Sequence, residues 1–99
     1  MATYIVLASF TEQGIRNVKD TTKRADAVKQ MGEKLDVNMK EVFWTLGAYD
    51  VVTVCEAPDD ATMTAFDLSI GQAGYVRTQT LRAFSRDEVT KILAKTQTT

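Results

Sequence analysis

VFWTLGAYDVVTVCEAPDD, Val42 to Asp60, is the stretch that decides the fold. It sets one bulky apolar run, Val42-Phe43-Trp44-Thr45-Leu46, against a second, Val51-Val52-Thr53-Val54-Cys55. β-Branched and aromatic runs of this length suit strands. The short Gly47-Ala48-Tyr49-Asp50 link between them predicts an antiparallel hairpin. The closing Ala57-Pro58-Asp59-Asp60 reads as a helix start, because proline suits a first turn and aspartates favour the positive end of the helix dipole.

Working outward, Thr3 to Phe10 has the composition of a strand, and Thr11 offers a hydroxyl to cap a helix. From there Ile15, Val18, Thr22, Ala25, Val28, Met31 and Leu35 recur every three or four residues, which predicts one amphipathic helix with one buried stripe. Asp36 to Lys40 is polar and reads as the connection to the hairpin. Downstream, Ala61, Ala65, Phe66, Leu68, Ser69 and Ile70 belong to a second helix that stops among Gly71 and Gly74. Tyr75 to Phe84 is a fourth strand. Ser85 and Glu88 then form a capping-box signature for a last helix burying Val89, Ile92 and Leu93. The order is β-α-β-β-α-β with an added C-terminal helix: an α+β, ferredoxin-like arrangement on an antiparallel sheet, expected as one domain over residues 1–99.

Alternation along the strands reports on both sides of that sheet. Val42, Trp44 and Leu46 oppose Phe43 and Thr45. Tyr4, Val6, Ala8 and Phe10 oppose Ile5 and Leu7, and Val52 and Val54 oppose Val51, Thr53 and Cys55. Neither side is polar, and two helices cover only one. Large apolar patches mark interfaces, so the chain is expected to pair with itself, as a homodimer or higher homo-oligomer, sheet against sheet. The competing expectation is that the last helix folds over its own sheet.

Composition removes several functions. Formal charge is −1, and the basic residues Lys19, Lys23 and Arg24 are interleaved with Asp20 and Asp26, so no nucleic-acid partner is expected. An RNA-binding module of the same strand order needs stacking aromatics on its central strands, and Val51 to Glu56 has none. No run approaches the roughly 18 apolar residues of a membrane span. The chain has no histidine, which excludes Ser-His-Asp and Cys-His catalysis and histidine-ligated metals. No spacing suggests a metal site and no cofactor is called for. One cysteine and no charged leader fit a cytoplasmic protein.

A few residues remain as candidates. Tyr49 and Asp50 pair a phenol with a carboxylate, as donor and general base, or else serve the turn, with Asp50 bonding turn amides. Trp44 either walls an apolar pocket or fills a core or dimer contact. On the last strand Thr78, Thr80 and Arg82 share one face and Arg77 and Gln79 the other. Such a row either lines a cavity for an anionic or carbonyl group or forms the solvated face of an edge strand. Arg24 is expected at the helix–sheet boundary, either in a salt bridge with an acid such as Asp50 or as a ligand-binding residue. Cys55 reads as a small core residue, and Asp59 and Asp60 as helix-capping groups.

Taken together, GIRNVKDTTKRADAV, VFWTLGAYDVV, EAPDD and GYVRTQTLRAF resemble the GYD domain family, small bacterial proteins named for a Gly-x-Tyr-Asp motif, here Gly47 to Asp50. The resemblance implies a dimeric α/β-barrel form of the ferredoxin-like fold. It supplies no reaction, and activities of the wider barrel superfamily carry over only as fold analogy. Two expectations follow. One is a homo-oligomeric binding or assembly module holding a small organic ligand between sheet and helices. The other is a cofactor-independent enzyme, monooxygenase- or lactone-isomerase-like, using Asp50 or Tyr49.

Overall fold

The computed structural model describes residues 1–98. The elements run β1 (Ala2–Phe10), α1 (Glu12–Arg16), a 3-10 turn (Val18–Asp20), α2 (Thr21–Lys34), β2 (Asn38–Trp44), β3 (Val51–Ala57), α3 (Asp60–Ala73), β4 (Val76–Ala83) and α4 (Arg86–Leu93). The strands form one sheet in the order β2-β3-β1-β4, with every neighbouring pair antiparallel. This is the expected ferredoxin-like α+β architecture with its extra C-terminal helix. Among the described residues no helix is long and apolar enough to cross a membrane.

The register assigns the two sides. Tyr4 lies between Cys55 and Arg82, Val6 between Thr53 and Thr80, and Ala8 between Val51 and Thr78. This is the helix side. Tyr4, Val6, Met39, Cys55 and Ala57 are buried there with Val37, Met63 and Phe66, while Val28, Met31 and Leu35 pack against them from α2 and its C-terminal end. Asp59 caps α3 by accepting from the Thr62 N–H, as its sequence foretold. On the other side Ile5 sits beside Val54 and Leu81, and Leu7 beside Val52 and Gln79. None of those residues is buried, and Phe43 next to Val52 is 52% exposed.

Three expectations are corrected. First, the helix over residues 15–35 is broken in two. Asn17 turns its N–H back onto the Gln13 and Ile15 carbonyls, and the 3-10 turn re-aims the chain into α2. Ile15 and Val18 are therefore exposed. What holds α1 is the junction of α3 and β4. Thr11 donates its N–H to the Tyr75 carbonyl and its hydroxyl to the Gly74 carbonyl. Gly14 packs so closely there that a Cβ would lie 2.0 Å from the Tyr75 carbonyl oxygen. Gly14→Ala must push backbone aside, and a loss of about 1–3 kcal/mol is expected in thermal or urea unfolding.

Second, Val37 is not part of a polar link. It is fully buried at the entry to β2 because the Val37 N–H bonds the Gly32 carbonyl and folds the chain under α2. Conversely, Leu68 faces solvent on α3, and Leu46 lies beyond the end of β2, fully exposed in the turn.

Third, α4 buries nothing. Its capping box between Ser85 and Glu88 forms as expected, yet Val89, Ile92 and Leu93 are 39%, 42% and 60% exposed. The helix does not fold over its own sheet, and its tether is Arg82, whose guanidinium lies 3.6 Å from Glu88. The molecule measures 53 × 31 × 19 Å with a radius of gyration of 15.2 Å. A compact chain of this length would have about 13 Å.

Candidate functional site

On the helix side, sheet and helices do not close completely. A cavity of about 290 Å³ lies between them, near the lower end of the ~300–1,000 Å³ typical of ligand pockets. Val6, Val42, Val51 and Thr53 supply its sheet wall, Val28 and Met31 come from α2, and Phe66 and Ile70 come from α3. Strand alternation explains the lining: the residues that point to the helices are mostly aliphatic, and Ala25, Ala27 and Ala73 leave the space that larger side chains would fill.

Three of the sequence candidates line this cavity: Trp44, Arg24 and Thr78. Trp44 ends β2, and its indole N–H donates to the Thr21 hydroxyl at 3.1 Å, tying the ring to the start of α2. One turn further along α2, Arg24 donates from Nη2 to the Asn17 carbonyl at 2.8 Å. Its guanidinium lies over the Tyr75 ring, 4.3 Å from the centroid. The expected salt bridge to Asp50 does not form, because the Asp50 carboxylate is taken up elsewhere. Tyr75 and Thr21 were not singled out from the sequence. Their role depends on the break before α2 and on the α3–β4 junction, neither of which leaves a periodic signal.

The remaining candidates lie outside the cavity. Thr80 shares a face with Thr78 but donates its hydroxyl to Asp67 on α3. Arg82 stacks over Phe84 at 4.4 Å and reaches Glu88. Asp50 accepts the Phe10 N–H at 2.8 Å while its own N–H donates to the Ala8 carbonyl at 2.8 Å. Its carboxylate and N–H bond β1, while its carbonyl accepts the Thr45 N–H across the hairpin at 2.8 Å. Tyr49 donates its hydroxyl to Gln79 Oε1 at 2.8 Å, on the open side of the sheet. Gly47 permits this path by adopting φ +108°, a left-handed conformation that side chains disfavour.

Behind the cavity wall, Asp67 Oδ1 is buried without a hydrogen-bond partner. Burial raises the Asp67 carboxyl above its ordinary value, opposed by the Thr80 hydroxyl, and burial likewise raises the Cys55 thiol. A carboxyl raised on folding stabilises most below its unfolded value of about 3.9 and loses that contribution as pH rises through its folded value. Asp67→Asn keeps an acceptor for Thr80 without the charge. Urea midpoints at pH 4 and pH 7 should therefore fall less with rising pH in the variant than in the wild type.

Comparison with known proteins places these features in context. The family model described as GYD domain matches residues 4–93. A Thermus thermophilus protein named glutamine synthetase and cystathionine beta-lyase binding protein is 33% identical over 87 residues, spanning 84% of this chain and 88% of its own. A crystal structure of a Thermus thermophilus protein superposes with a TM-score of 0.57 at 25% identity, covering 86% of this chain and 95% of its own.

Proposed function

Because the chain belongs to the GYD domain family, we propose that it works as a small binding and assembly module, without turnover of its own. One side of the sheet docks protein, first of all a second copy of this chain. The other side holds a small organic ligand in the cavity between sheet and helices. The observation that carries this reading is the apolar surface left uncovered: Ile5, Leu7, Phe43, Val52, Val54 and Leu81 on the sheet, and the Val89–Ile92–Leu93 stripe of α4.

The geometry of the open face suits a partner. Four strands about 4.8 Å apart and about seven residues long present roughly 450 Å² in projection. Thr3, Glu41, Glu56, Arg77 and Gln79 share this side, so its apolar part is smaller, and the α4 stripe adds to it. A sheet of this kind matches its own copy, because two such faces pack at the ~10 Å spacing of stacked sheets. The Thermus relative is named for binding two other proteins, which favours protein partners for this chain as well.

Turnover by Tyr49 and Asp50 has less support. Both side chains are committed to hydrogen bonds across β1 and β4, outside the cavity, and the cavity lining contains no carboxylate. Sedimentation velocity at micromolar concentration is the test. The expected species has at least twice the 11.0 kDa mass of the chain, and a monomer under those conditions would overturn the self-pairing.

A further inference from the structure

We propose that the cavity takes a small organic anion, an apolar body bearing one carboxylate or similar group, and that Arg24 binds the charge. The proposal rests on the reading of the cavity as a ligand site and adds the ligand's chemical class and its anchor.

The cavity lining has one charged residue, Arg24, and no acid. Arg24 is half-buried, and no ion pair engages it among the described residues. Asp20, one turn earlier, is exposed and makes no bond to it. A guanidinium has five N–H donors in a fixed fork, and the protein uses it only for the Asn17 carbonyl. The Tyr75 ring, 4.3 Å from the guanidinium centre, restrains the group at the edge of the cavity. At the boundary between an apolar cavity and water, a charge is screened less than in open solvent, which favours an anion there. A bidentate carboxylate is the group that such a fork fits best. The apolar walls, among them Val6, Val28, Met31, Val42, Phe66 and Ile70, accept hydrocarbon, and the other polar lining residues carry neutral hydroxyls only.

Trp44 lines the cavity and is the chain's one tryptophan, so its fluorescence is a probe of the cavity. Octanoate and octanol, titrated at equal ionic strength, differ in the anionic head. Octanoate is expected to give a saturable change and to bind on the order of 10- to 100-fold more tightly than octanol, the range of a charge-assisted bond. Arg24→Gln should bring octanoate down to the octanol level and leave octanol unchanged. Arg24→Lys, which keeps the charge but not the fork, should fall between and guards against a folding defect in the first variant. Equal binding of both probes, untouched by Arg24→Gln, would overturn the anion site and leave the ligand cavity standing. No response to either probe would overturn the ligand cavity itself.

Discussion

Leu7→Asp is expected to reduce the protein to a folded monomer. Leu7 lies on the central strand β1, on the open side, between Val52 and Gln79. In the isolated chain that position is partly open to water, so a carboxylate there is tolerated and circular dichroism should be unchanged. In a sheet-to-sheet pair it becomes central, and each copy brings a charge into an apolar contact. Burying an unpaired carboxylate costs several kcal/mol. About 4 kcal/mol corresponds to roughly a thousandfold in dissociation constant. Sedimentation at the concentration that assembles the wild type should show the monomer mass. If Leu7→Asp keeps the wild-type mass, the copies meet through another surface, and the argument from the open sheet face fails.

Phe66→Ala should have the largest effect on stability, about 3–5 kcal/mol. Phe66 is 1% exposed, and with Met63 it is the main apolar contribution of α3 to the core. Its ring lies against Gly32 so closely that a Cβ there would be 3.2 Å from Phe66 Cε1. The ring thus packs between α2 and α3, and its removal would leave a void there. Against a typical net stability of about 5–15 kcal/mol, the loss should move the urea midpoint down by about 2 M. Phe66 also walls the cavity, so the variant should lose selectivity for ligand shape together with stability. A midpoint shift below about 0.5 M would show that the helices collapse onto the gap.

Much of this architecture is written in local signals. The strand alternation of β1, β3 and β4 sorted their side chains correctly between the two sides, with Thr78, Thr80 and Arg82 apart from Arg77 and Gln79. The Asp59 cap and the Ser85–Glu88 box were legible because each needs only neighbouring residues. What was not legible depends on distant partners. The spacing of Ile15 and Val18 continues the stripe of Val28 and Met31, yet the packing of Gly14 on Tyr75 and the turn at Asn17 end the first helix. The same periodicity in α4 shows an apolar face but not whether its own sheet receives it. Among the site candidates, Trp44, Arg24 and Thr78 meet at one cavity, while the bond to Asp67 removes Thr80 and the stack on Phe84 removes Arg82. Periodicity gives the face of a strand, and only the assembled neighbours decide which polar groups remain free.

The turn at Gly47 to Asp50 acts as a register lock. Asp50 grips β1 twice, accepting from Phe10 and donating to Ala8, and Tyr49 reaches across to Gln79. A slip of the hairpin by one position along β1 would exchange the two sides of every residue in β2 and β3. Phe43 would enter the cavity and Trp44 would move to the open face. The Gly-x-Tyr-Asp sequence is therefore what keeps the cavity and the open apolar face on opposite sides of one sheet.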